Sequence, residues 1–357
     1  MLPVNFTPGP SQIYFTVEDH IRQAFREGIP SISHRSKTFE HIYRDCKEGL
    51  QELFQIPAGW ELVFTSSATE VWERSLENLV ESKSHHFVNG AFSKRFYEFG
   101  GLLGKSASHS VAAEGASFDV CNHQLNAELI AITQNETSTG VVVTNHWISE
   151  LRKYNPEALL IVDGVSSLPH LQPDFSLVDS VFFSVQKGFG MPAGLGVWLV
   201  NEACIQKAEM LTSKGLRTGT YHALPSMIAN ARKFQTPSTP NVLAIYLLSK
   251  VCQDFLRRGV DTIRKETNYK SALLYHTLDK LKNIKPFVHN AADRSQTVIV
   301  AQTGSRTQEI ASLLLQNGIQ AGDGYGSGKQ TQLRFANFPA HSKEIYEQLC
   351  DLLTSVG

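Results

Sequence analysis

The stretches Ala158-Leu-Leu-Ile-Val-Asp163-Gly164 and Ser180-Val-Phe-Phe-Ser-Val-Gln-Lys187-Gly188 decide the fold. Each begins with a short, nearly continuous apolar run, which is typical of a strand buried on both faces of a parallel sheet. Each run leads to a charged residue, Asp163 in the first stretch and Lys187 in the second. Because the carboxyl ends of parallel strands meet at one edge of a sheet, we expect both side chains at that edge, where ligands bind in such folds.

The alternation of strands and helices extends on both sides of these stretches. Further strands are predicted at residues 61–65, 86–89, 129–134 and 197–200. Helices are predicted at residues 18–26, 38–54 and 70–80. Strands that alternate with helices indicate an α/β fold, in which helices cover both faces of a mainly parallel sheet.

The pattern changes after about residue 239, where the predicted helices become longer and the strands fewer. Helices are predicted at 242–258 and 263–281, followed by a strand at 296–301, a helix at 307–317, a strand at 332–337 and a last helix from 343. This α+β pattern indicates a second, smaller domain, and 357 residues are enough for two domains. We predict a large domain at 16–241 and a small domain made of residues 1–15 and 242–357.

The charge balance argues against nucleic acid or an acidic membrane as the main partner, because 33 Lys and Arg residues stand beside 34 Asp and Glu residues. The cysteines lie far apart in the sequence, at Cys46, Cys121, Cys204, Cys252 and Cys350. This spacing favours free thiols in a reducing compartment, and we expect no metal site. The first residues lack a signal-peptide pattern and no apolar run reaches about 18 residues, so we expect a cytoplasmic protein.

Asp163 and Lys187 together suit one cofactor, pyridoxal phosphate (PLP). A carboxylate keeps the pyridine nitrogen protonated, and a lysine holds the aldehyde as a Schiff base and then shuttles the substrate's proton. Each residue also has an ordinary alternative: Asp163 as a helix cap or ion-pair partner, and Lys187 as a solvated surface group. The turn Ser66-Ser67-Ala68-Thr69 is predicted to open a helix whose N-terminus binds the cofactor phosphate, and a plain capping turn is the alternative.

Several segments share their order along the chain with one known family. They are Asn5-Phe6-Thr7-Pro8-Gly9-Pro10, Ser33-His34-Arg35-Ser36-Lys37-Thr38-Phe39, Asn135-Glu136-Thr137, Asp163, Gln186-Lys187, Thr236-Pro237-Ser238-Thr239-Pro240 and Leu333-Arg334-Phe335-Ala336-Asn337-Phe338. Together they resemble the class V aminotransferases of fold type I, and among them the phosphoserine aminotransferases. The resemblance covers nearly the whole chain. It implies a large domain with a mainly parallel seven-stranded sheet and a smaller α+β domain.

The resemblance also implies a role for individual residues. Lys187 is expected to hold the cofactor and to act as the catalytic base. The other expected cofactor contacts are Phe92 stacked on the ring, Thr137 at the ring hydroxyl, Asp163 at the ring nitrogen, and Ala68, Thr69, Gln186, Gln235 and Thr236 at the phosphate. The last two are expected to come from the other subunit of a homodimer. Arg334 is expected to clamp the substrate α-carboxylate, and His34 and Arg35 to border its side chain.

The implied activity is transamination of small amino acids and 2-oxo acids, most closely between phosphoserine and 2-oxoglutarate in serine biosynthesis. Two departures from the family pattern leave the substrate open. The predicted phosphate turn lacks the family's additional glycine and arginine, and the acidic Glu70 follows it. The stretch 326–331 lacks a His-Arg pair that grips a substrate phosphate, so that Lys329 is the predicted replacement for that charge.

Other functions remain open on the sequence alone. A class V transaminase acting on alanine or serine with glyoxylate or pyruvate does not need the missing pair. A class V lyase of the cysteine desulfurase type needs a reactive thiol, and the candidate Cys350 lies on an apolar helix face, where thiols are usually inert. A non-catalytic protein on the same fold is a further alternative, and the joint presence of Asp163, Lys187 and Arg334 argues against it.

Overall fold

The computed structural model describes residues 2–120, 122–216 and 218–357, so Cys121 lies outside the described residues. The strands are β1 (Val4–Phe6), β2 (Glu61–Thr65), β3 (Lys83–Val88), β4 (Ser106–Val111), β5 (Leu129–Thr133), β6 (Asn135–Glu136), β7 (Val141–Val142), β8 (Leu159–Asp163), β9 (Ser180–Ser184), β10 (Gly196–Val200), β11 (Lys285–Pro286), β12 (Val298–Gln302), β13 (Ile319–Asp323) and β14 (Gln332–Ala336). The α-helices are α1 (Val17–Arg26), α2 (Lys37–Phe54), α3 (Ala68–Leu79), α4 (Ala91–Leu102), α5 (Asn145–Tyr154), α6 (Glu202–Ser213), α7 (Leu224–Ala231), α8 (Val242–Arg258), α9 (Val260–Lys280), α10 (Thr307–Gln316) and α11 (Lys343–Val356).

The larger sheet has seven strands in the order β2-β10-β9-β8-β5-β3-β4. Strand β10 is antiparallel to its neighbours β2 and β9, and all pairs from β9 to β4 are parallel. The predicted α/β fold with a mainly parallel seven-stranded sheet is therefore confirmed. Since β2 and β9 both oppose β10, the strands β2, β3, β5, β8 and β9 all end at the same edge of the sheet.

The second sheet has the order β1-β13-β14-β12-β11. Strand β1 is parallel to β13, and the other pairs are antiparallel. Strand β1 comes from the N-terminal arm, whereas its sheet partners come from residues 285–336. The arm thus crosses from the start of the chain to the C-terminal elements, and on this path it passes the carboxyl edge of the larger sheet.

Each sheet has its own hydrophobic cluster. The smaller cluster joins Phe6 of the arm to buried residues between 274 and 353. The sequence pattern places helix α8 in that domain, yet α8 contributes to the larger cluster and packs against α2. Gly49 permits this close approach, because a Cβ at Gly49 would lie 3.1 Å from the Cβ of Cys252. The domain boundaries at 15/16 and 241/242 stay a prediction.

Most of the predicted elements match the structure within a few residues; β2, for example, spans the residues predicted for it. Of the strands with at least five residues, β4 and β13 were not predicted. Strand β4 forms an edge of the larger sheet and is mostly exposed, so its sequence Ser-Ala-Ser-His-Ser-Val shows no buried face. Within the described ranges, no helix is long and apolar enough to cross a membrane.

Candidate active site

A cavity of about 200 Å³ opens at the edge of the larger sheet where the parallel strands end. The residues predicted for the site that line it are Ala68, Thr69, Phe92, Thr137, Asp163, Gln186, Lys187 and Arg334. They come from the segments that follow β2, β3, β5, β8 and β9, and from β14 of the second sheet. The arm closes one side with Pro8 and Gly9. The sheet topology thus brings together side chains that lie up to 266 positions apart in numbering, from Ala68 to Arg334.

Lys187 follows β9 and is only 7% exposed. Its Nζ donates a hydrogen bond of 2.7 Å to Thr137 Oγ1 and lies 5.2 Å from the centroid of the Phe92 ring. Burial lowers the pKa of Lys187 to about 8, against the opposing charges of Asp163 and Glu136. A buried amine whose pKa lies close to neutral can release and recover a proton, which is the property required of a general base.

Asp163 ends β8 and is 4% exposed. Its Oδ1 accepts a hydrogen bond of 3.0 Å from the Val165 backbone N–H, and its Oδ2 accepts one of 3.1 Å from Trp72 Nε1. Burial raises the pKa of Asp163 to about 6, although these two donors and the charge of Lys187 favour the carboxylate. Among the ion pairs of the described chain, none involves Asp163, so this carboxylate lies in the cavity wall without a cationic partner.

Ser166 connects the segments after β5 and β8. Its Oγ accepts hydrogen bonds from Asn135 Nδ2 at 2.8 Å and from Thr137 Oγ1 at 2.9 Å, and it donates to the Asn135 carbonyl at 2.8 Å. Thr137 thereby accepts from Lys187 and donates to Ser166 with one hydroxyl. This network fixes the position of the Lys187 amine relative to the sheet edge.

The turn after β2 opens α3, as the sequence predicted for the phosphate turn. Ser67 is the N-cap, and its Oγ accepts from the Glu70 N–H at 3.3 Å. The Ala68 N–H donates to Ser184 Oγ at 2.7 Å, which ties the start of α3 to the end of β9. Ala68 and Thr69 occupy the first turn of a twelve-residue helix, where N–H groups and the helix dipole favour an anion.

The acidic Glu70, which departs from the family pattern, does not line the cavity. Its carboxylate accepts hydrogen bonds from the backbone N–H of Ser66 at 2.7 Å, from Ser66 Oγ at 2.8 Å and from His222 Nδ1. Although burial opposes it, these hydrogen bonds lower the pKa of Glu70 to about 2. The negative charge of Glu70 therefore lies outside the cavity, where Ser66 and His222 stabilise it by hydrogen bonds.

Arg334 lies on β14 with its guanidinium between backbone carbonyls and an aromatic ring. Its Nε donates to the Asp323 carbonyl at 2.6 Å and its Nη1 to the Thr137 carbonyl at 3.2 Å. The guanidinium carbon lies 5.5 Å from the centroid of the Tyr325 ring, and that ring lies 5.3 Å from the ring of Phe92. Since guanidinium has five N–H donors, these contacts orient the group and leave others for a carboxylate.

The arm contacts Lys187 through Gly9. A Cβ built on Gly9 would lie 2.8 Å from Lys187 Cε, and Gly9 has a φ of +145°. Both observations require glycine at this position. The Gly-Pro segment of the arm thus packs directly on the lysine side chain and restricts where its amine can move.

The remaining predicted residues do not line this cavity. His34, Arg35, Gln235 and Thr236 lie together elsewhere on the chain, where Arg35 Nη1 donates to Gln235 Oε1 at 2.7 Å. Thr236 Oγ1 donates to the Ser238 carbonyl at 2.7 Å. The Arg35–Gln235 hydrogen bond thus joins the segment that carries His34 to the segment that carries Thr236, and none of these four residues lines the Lys187 cavity of their own chain.

Lys329 also lies away from the site. It is exposed and lines a separate cavity together with Thr307, Asp323 and Thr331. It belongs to the short 3-10 helix Gly326–Gln330, which precedes β14. Tyr325, at the start of this turn, lines the Lys187 cavity in its place and is 43% exposed.

Sequence reasoning assigned no role to Trp72, Ser166, Ser184 or Tyr325. Trp72 lies on the apolar face of α3, where it reads as an ordinary core residue, and nothing in the sequence shows where its indole N–H points. Ser166 and Ser184 were visible as polar residues at strand ends, which is the available signal. The sequence motif around Asn135 gives Glu136 no separate role, yet its buried carboxylate accepts from the N–H groups of Phe92 and Ser93 and so caps α4.

The donor set fits PLP. The cavity wall holds a buried amine, a buried carboxylate without a cationic partner, an aromatic ring and a helix N-terminus, which suit the aldehyde, ring nitrogen, ring face and phosphate respectively. Lys187 and Asp163 form no ion pair with each other in the part of the chain that the structure describes. Two oppositely charged buried groups that remain apart across a cavity are consistent with a ligand that bridges them.

Cys350 does not support lyase chemistry. It is 5% exposed on α11, inside the smaller hydrophobic cluster, and does not line the Lys187 cavity. Burial raises the pKa of its thiol, which disfavours the nucleophilic thiolate.

Comparison with known proteins agrees with the site. A family model described as aminotransferase class-V matches residues 118–337, which include Thr137, Asp163, Lys187 and Arg334. The chain belongs to the class V aminotransferases, and it is a PLP-dependent transaminase.

Individual similar proteins indicate a narrower activity than the family model does. A solved phosphoserine aminotransferase from Cytophaga hutchinsonii is 47% identical, with a TM-score of 0.97 and 99% of each chain covered. A phosphoserine aminotransferase of Rhodococcus opacus (strain B4) is 29% identical over 330 residues, covering 89% of this chain and 85% of its own length. An alanine–glyoxylate aminotransferase from Nostoc sp. shares the fold alone, with 20% identity, a TM-score of 0.83 and coverage of 100% of this chain and 95% of its own.

Proposed function

We propose that this chain transfers an amino group between phosphoserine and 2-oxoglutarate, as a phosphoserine aminotransferase of serine biosynthesis. The observation that carries the proposal is the 47% identity, over 99% of both chains, to a phosphoserine aminotransferase. The cavity supports it, because Lys187, Asp163 and Arg334 line one cavity together with a helix N-terminus. The described free cysteines are buried and unpaired, which supports a reducing, cytoplasmic location.

Each residue has a definite task in this reaction. PLP, when bound, supplies a protonated pyridine ring that stabilises negative charge developing at the substrate Cα. Lys187 binds the cofactor and, with its pKa lowered to about 8, exchanges the Cα proton through Nζ. Thr137 holds that amine in place, and Asp163 holds the proton on the ring nitrogen. Arg334 binds the α-carboxylate that every amino and 2-oxo acid presents.

A phosphorylated substrate needs more positive charge than this cavity contains. In the described part of the chain, the lysine and arginine residues that line it are Lys187 and Arg334. Phosphoserine carries both a carboxylate and a phosphate, so a further cationic group is required. We propose that His34 and Arg35 of a second copy supply it, and that Gln235 and Thr236 of that copy reach the cofactor phosphate. The hydrogen bond from Arg35 to Gln235, which brings the two segments together on the chain, supports this proposal.

The proposed function is tested by a half-reaction panel. The PLP-loaded protein is mixed with phosphoserine, glutamate, alanine, serine or aspartate, and the change in cofactor absorbance is followed. Phosphoserine and glutamate should react fastest. The reaction of phosphoserine should exceed that of serine by orders of magnitude, because serine lacks only the phosphate.

One observation favours a second candidate. Lys329 faces another cavity and Tyr325 takes the position beside Arg334, so the single chain offers an aromatic ring where a phosphate-binding cation was predicted. Such a wall suits a small, uncharged side chain, as in a transaminase for alanine or serine with glyoxylate or pyruvate. Faster reaction of alanine or serine than of phosphoserine in the panel would establish this candidate in place of the first.

A further inference from the structure

Asp163 receives its side-chain hydrogen bond from a residue that no family motif in this sequence includes. The donor, Trp72, lies on α3, which also carries the phosphate turn at its start. Its Nε1 is 3.1 Å from Asp163 Oδ2, although the two residues are 91 positions apart in the sequence. Trp72 itself lines the cavity and is 3% exposed.

The orientation of the Trp72 ring is fixed by aromatic neighbours. Its ring stacks on Phe96 with centroids 5.6 Å apart and an interplanar angle of 14°, and it meets Phe99 edge-on at 5.7 Å. Both partners belong to α4, the helix that carries Phe92. A buried indole N–H requires an acceptor, and here its direction is set by packing against α4, so the Asp163 carboxylate receives a donor at a fixed position.

The two donors to Asp163 act on different oxygens. The Val165 N–H binds Oδ1 at 3.0 Å and Trp72 binds Oδ2, so rotation of the carboxylate about its Cβ–Cγ bond would break at least one of them. A carboxylate has about four acceptor positions, so both oxygens keep one for the cavity. The remaining acceptor positions are thereby presented in one orientation.

We propose that Trp72 is a positioning residue for the cofactor: its indole N–H holds the Asp163 carboxylate oriented and ionised for the pyridine nitrogen. This inference rests on the proposed role of Asp163 at that nitrogen. Trp72 acts through Asp163 and is not itself a catalytic residue. No other side chain among the described residues donates a hydrogen bond to Asp163, so loss of the indole donor has no replacement.

Ionisation of Asp163 depends on a small number of neighbours. Lys187, from the segment after β9, favours the carboxylate, whereas Glu136 of β6 opposes it. Burial has the largest effect and raises the pKa of Asp163 to about 6, even though the hydrogen bonds of Val165 and Trp72 oppose this rise. Removal of the Trp72 donor therefore moves the pKa further upward, towards neutral pH, where the protonated acid can no longer pair with a protonated ring nitrogen.

The test compares Trp72→Phe with Trp147→Phe in the PLP-loaded protein. Phenylalanine keeps a ring in the core and removes only the indole donor. Trp147 is a matched control, because its Nε1 also donates from a buried position, to the Asp119 carbonyl at 3.0 Å, and its ring also packs among phenylalanines. The readout is the PLP retained after equilibrium dialysis across pH 5.5–8.5, which does not depend on turnover.

We expect Trp72→Phe to weaken PLP retention about 10- to 100-fold near neutral pH, as for loss of a hydrogen bond to a charged group, and to shift its pH profile upward. Trp147→Phe should match the parent protein. In an Asp163→Asn background, Trp72→Phe should cause less than about a twofold further loss, since the charge on which it acts is absent.

Three outcomes distinguish a failure of the inference on Trp72 from a failure of the role assigned to Asp163. Equal retention in Trp72→Phe and Trp147→Phe, with Asp163→Asn clearly weakened, would overturn the inference and leave the role of Asp163 intact. A loss from Trp72→Phe that is equally large in the parent protein and in the Asp163→Asn background would overturn it too, because Trp72 would then act only through packing. Undiminished retention in Asp163→Asn would overturn the assignment of Asp163 itself.

Discussion

The two sides of the cavity differ in how deeply their side chains are buried and in what fixes their positions. On the sheet side, Lys187 and Asp163 are each less than a tenth exposed, and their hydrogen bonds of 2.7–3.1 Å lie within this chain. On the opposite side, Tyr325 is 43% exposed and stands between Gly324 and Gly326. The groups that every transamination requires are thus built on strand ends, whereas the groups that select a substrate are carried by a loop and, in our proposal, by a second copy.

The largest loss of activity is expected at Lys187, on the sheet side of the cavity. Lys187→Ala should lower turnover by at least several powers of ten, because the residue both tethers the cofactor and moves the proton. The variant should also lose the absorbance that marks covalent attachment of PLP. Single-turnover kinetics and the absorbance spectrum measure the two effects, and retained transamination in Lys187→Ala would refute the site.

A nearly equal loss of activity is expected at Arg334, where the two sides of the cavity meet. Arg334→Ala should lower kcat/KM for phosphoserine, glutamate and alanine alike, since all present an α-carboxylate that is left unpaired, at a cost of about 2–5 kcal/mol. Lys329→Ala is the matched control, because Lys329 lies five positions before Arg334, in the 3-10 turn that leads into β14, and lines another cavity. It should stay within about twofold of the parent protein, as exposed substitutions usually do.

A selective loss of phosphoserine activity in Lys329→Ala would instead restore the role predicted for Lys329 from the sequence. It would show that the 3-10 turn Gly326–Gln330 rearranges when substrate binds. Equal and small losses at Arg334 and Lys329 would contradict the placement of the α-carboxylate at Arg334.

An intermediate effect is expected at Asp163. Burial raises the pKa of Asp163 to about 6, so the carboxylate form is present above that pH and is lost as the pH falls through it. PLP retention should therefore weaken on acidification from pH 7 to 5. Asp163→Asn should retain PLP about 10- to 100-fold more weakly at pH 7 and should lack this contribution to the pH dependence.

The cofactor phosphate titrates in the same pH range, so the difference between the parent protein and Asp163→Asn is the quantity to compare. Identical pH profiles in the two proteins would show that Asp163 is a structural cap without a role at the ring nitrogen.

The smallest effect is expected on the arm. Gly9→Ala places a Cβ 2.8 Å from Lys187 Cε at a φ of +145°, so either the arm or the lysine must shift. We expect kcat to fall roughly tenfold, in line with backbone strain of a few kcal/mol, of which part is relieved by movement of the arm. Gly59→Ala is the control, because Gly59 also has a positive φ, +88°, but has no atom within 4 Å of the added Cβ. It should lose stability and keep kcat.

The same contrast between the two sides explains what the sequence could predict. Strands β8 and β9 are buried along nearly their whole length, so their apolar runs and the residues that end them are visible in the sequence. Strand β4 is an exposed edge, so hydrophobic pattern gives no signal for it. The prediction for Lys329 rests on its distance from Arg334 in the sequence, and that distance cannot show that Lys329 lies in a 3-10 turn and lines a different cavity.

The sequence also could not predict contacts between residues that lie far apart in the chain. The hydrogen bond from Trp72 to Asp163 depends on the rotation of one indole ring against α4, and the position of Gly9 over Lys187 depends on the path of the arm between two sheets. Neither is a property of the local sequence. Both follow from tertiary packing, which the spacing of apolar residues specifies only in outline.

The central claim, that one chain supplies the catalytic side and a second copy completes the substrate side, is tested most directly by mixing two inactive variants. One is Lys187→Ala, and the other carries Arg35→Ala with Thr236→Ala. If sites are shared, each mixed dimer contains one site in which both defects meet and one intact site. Phosphoserine turnover should then return to about half of the parent value per mixed dimer. No recovery in mixed dimers, with their formation shown by size and differential tagging, would contradict the claim.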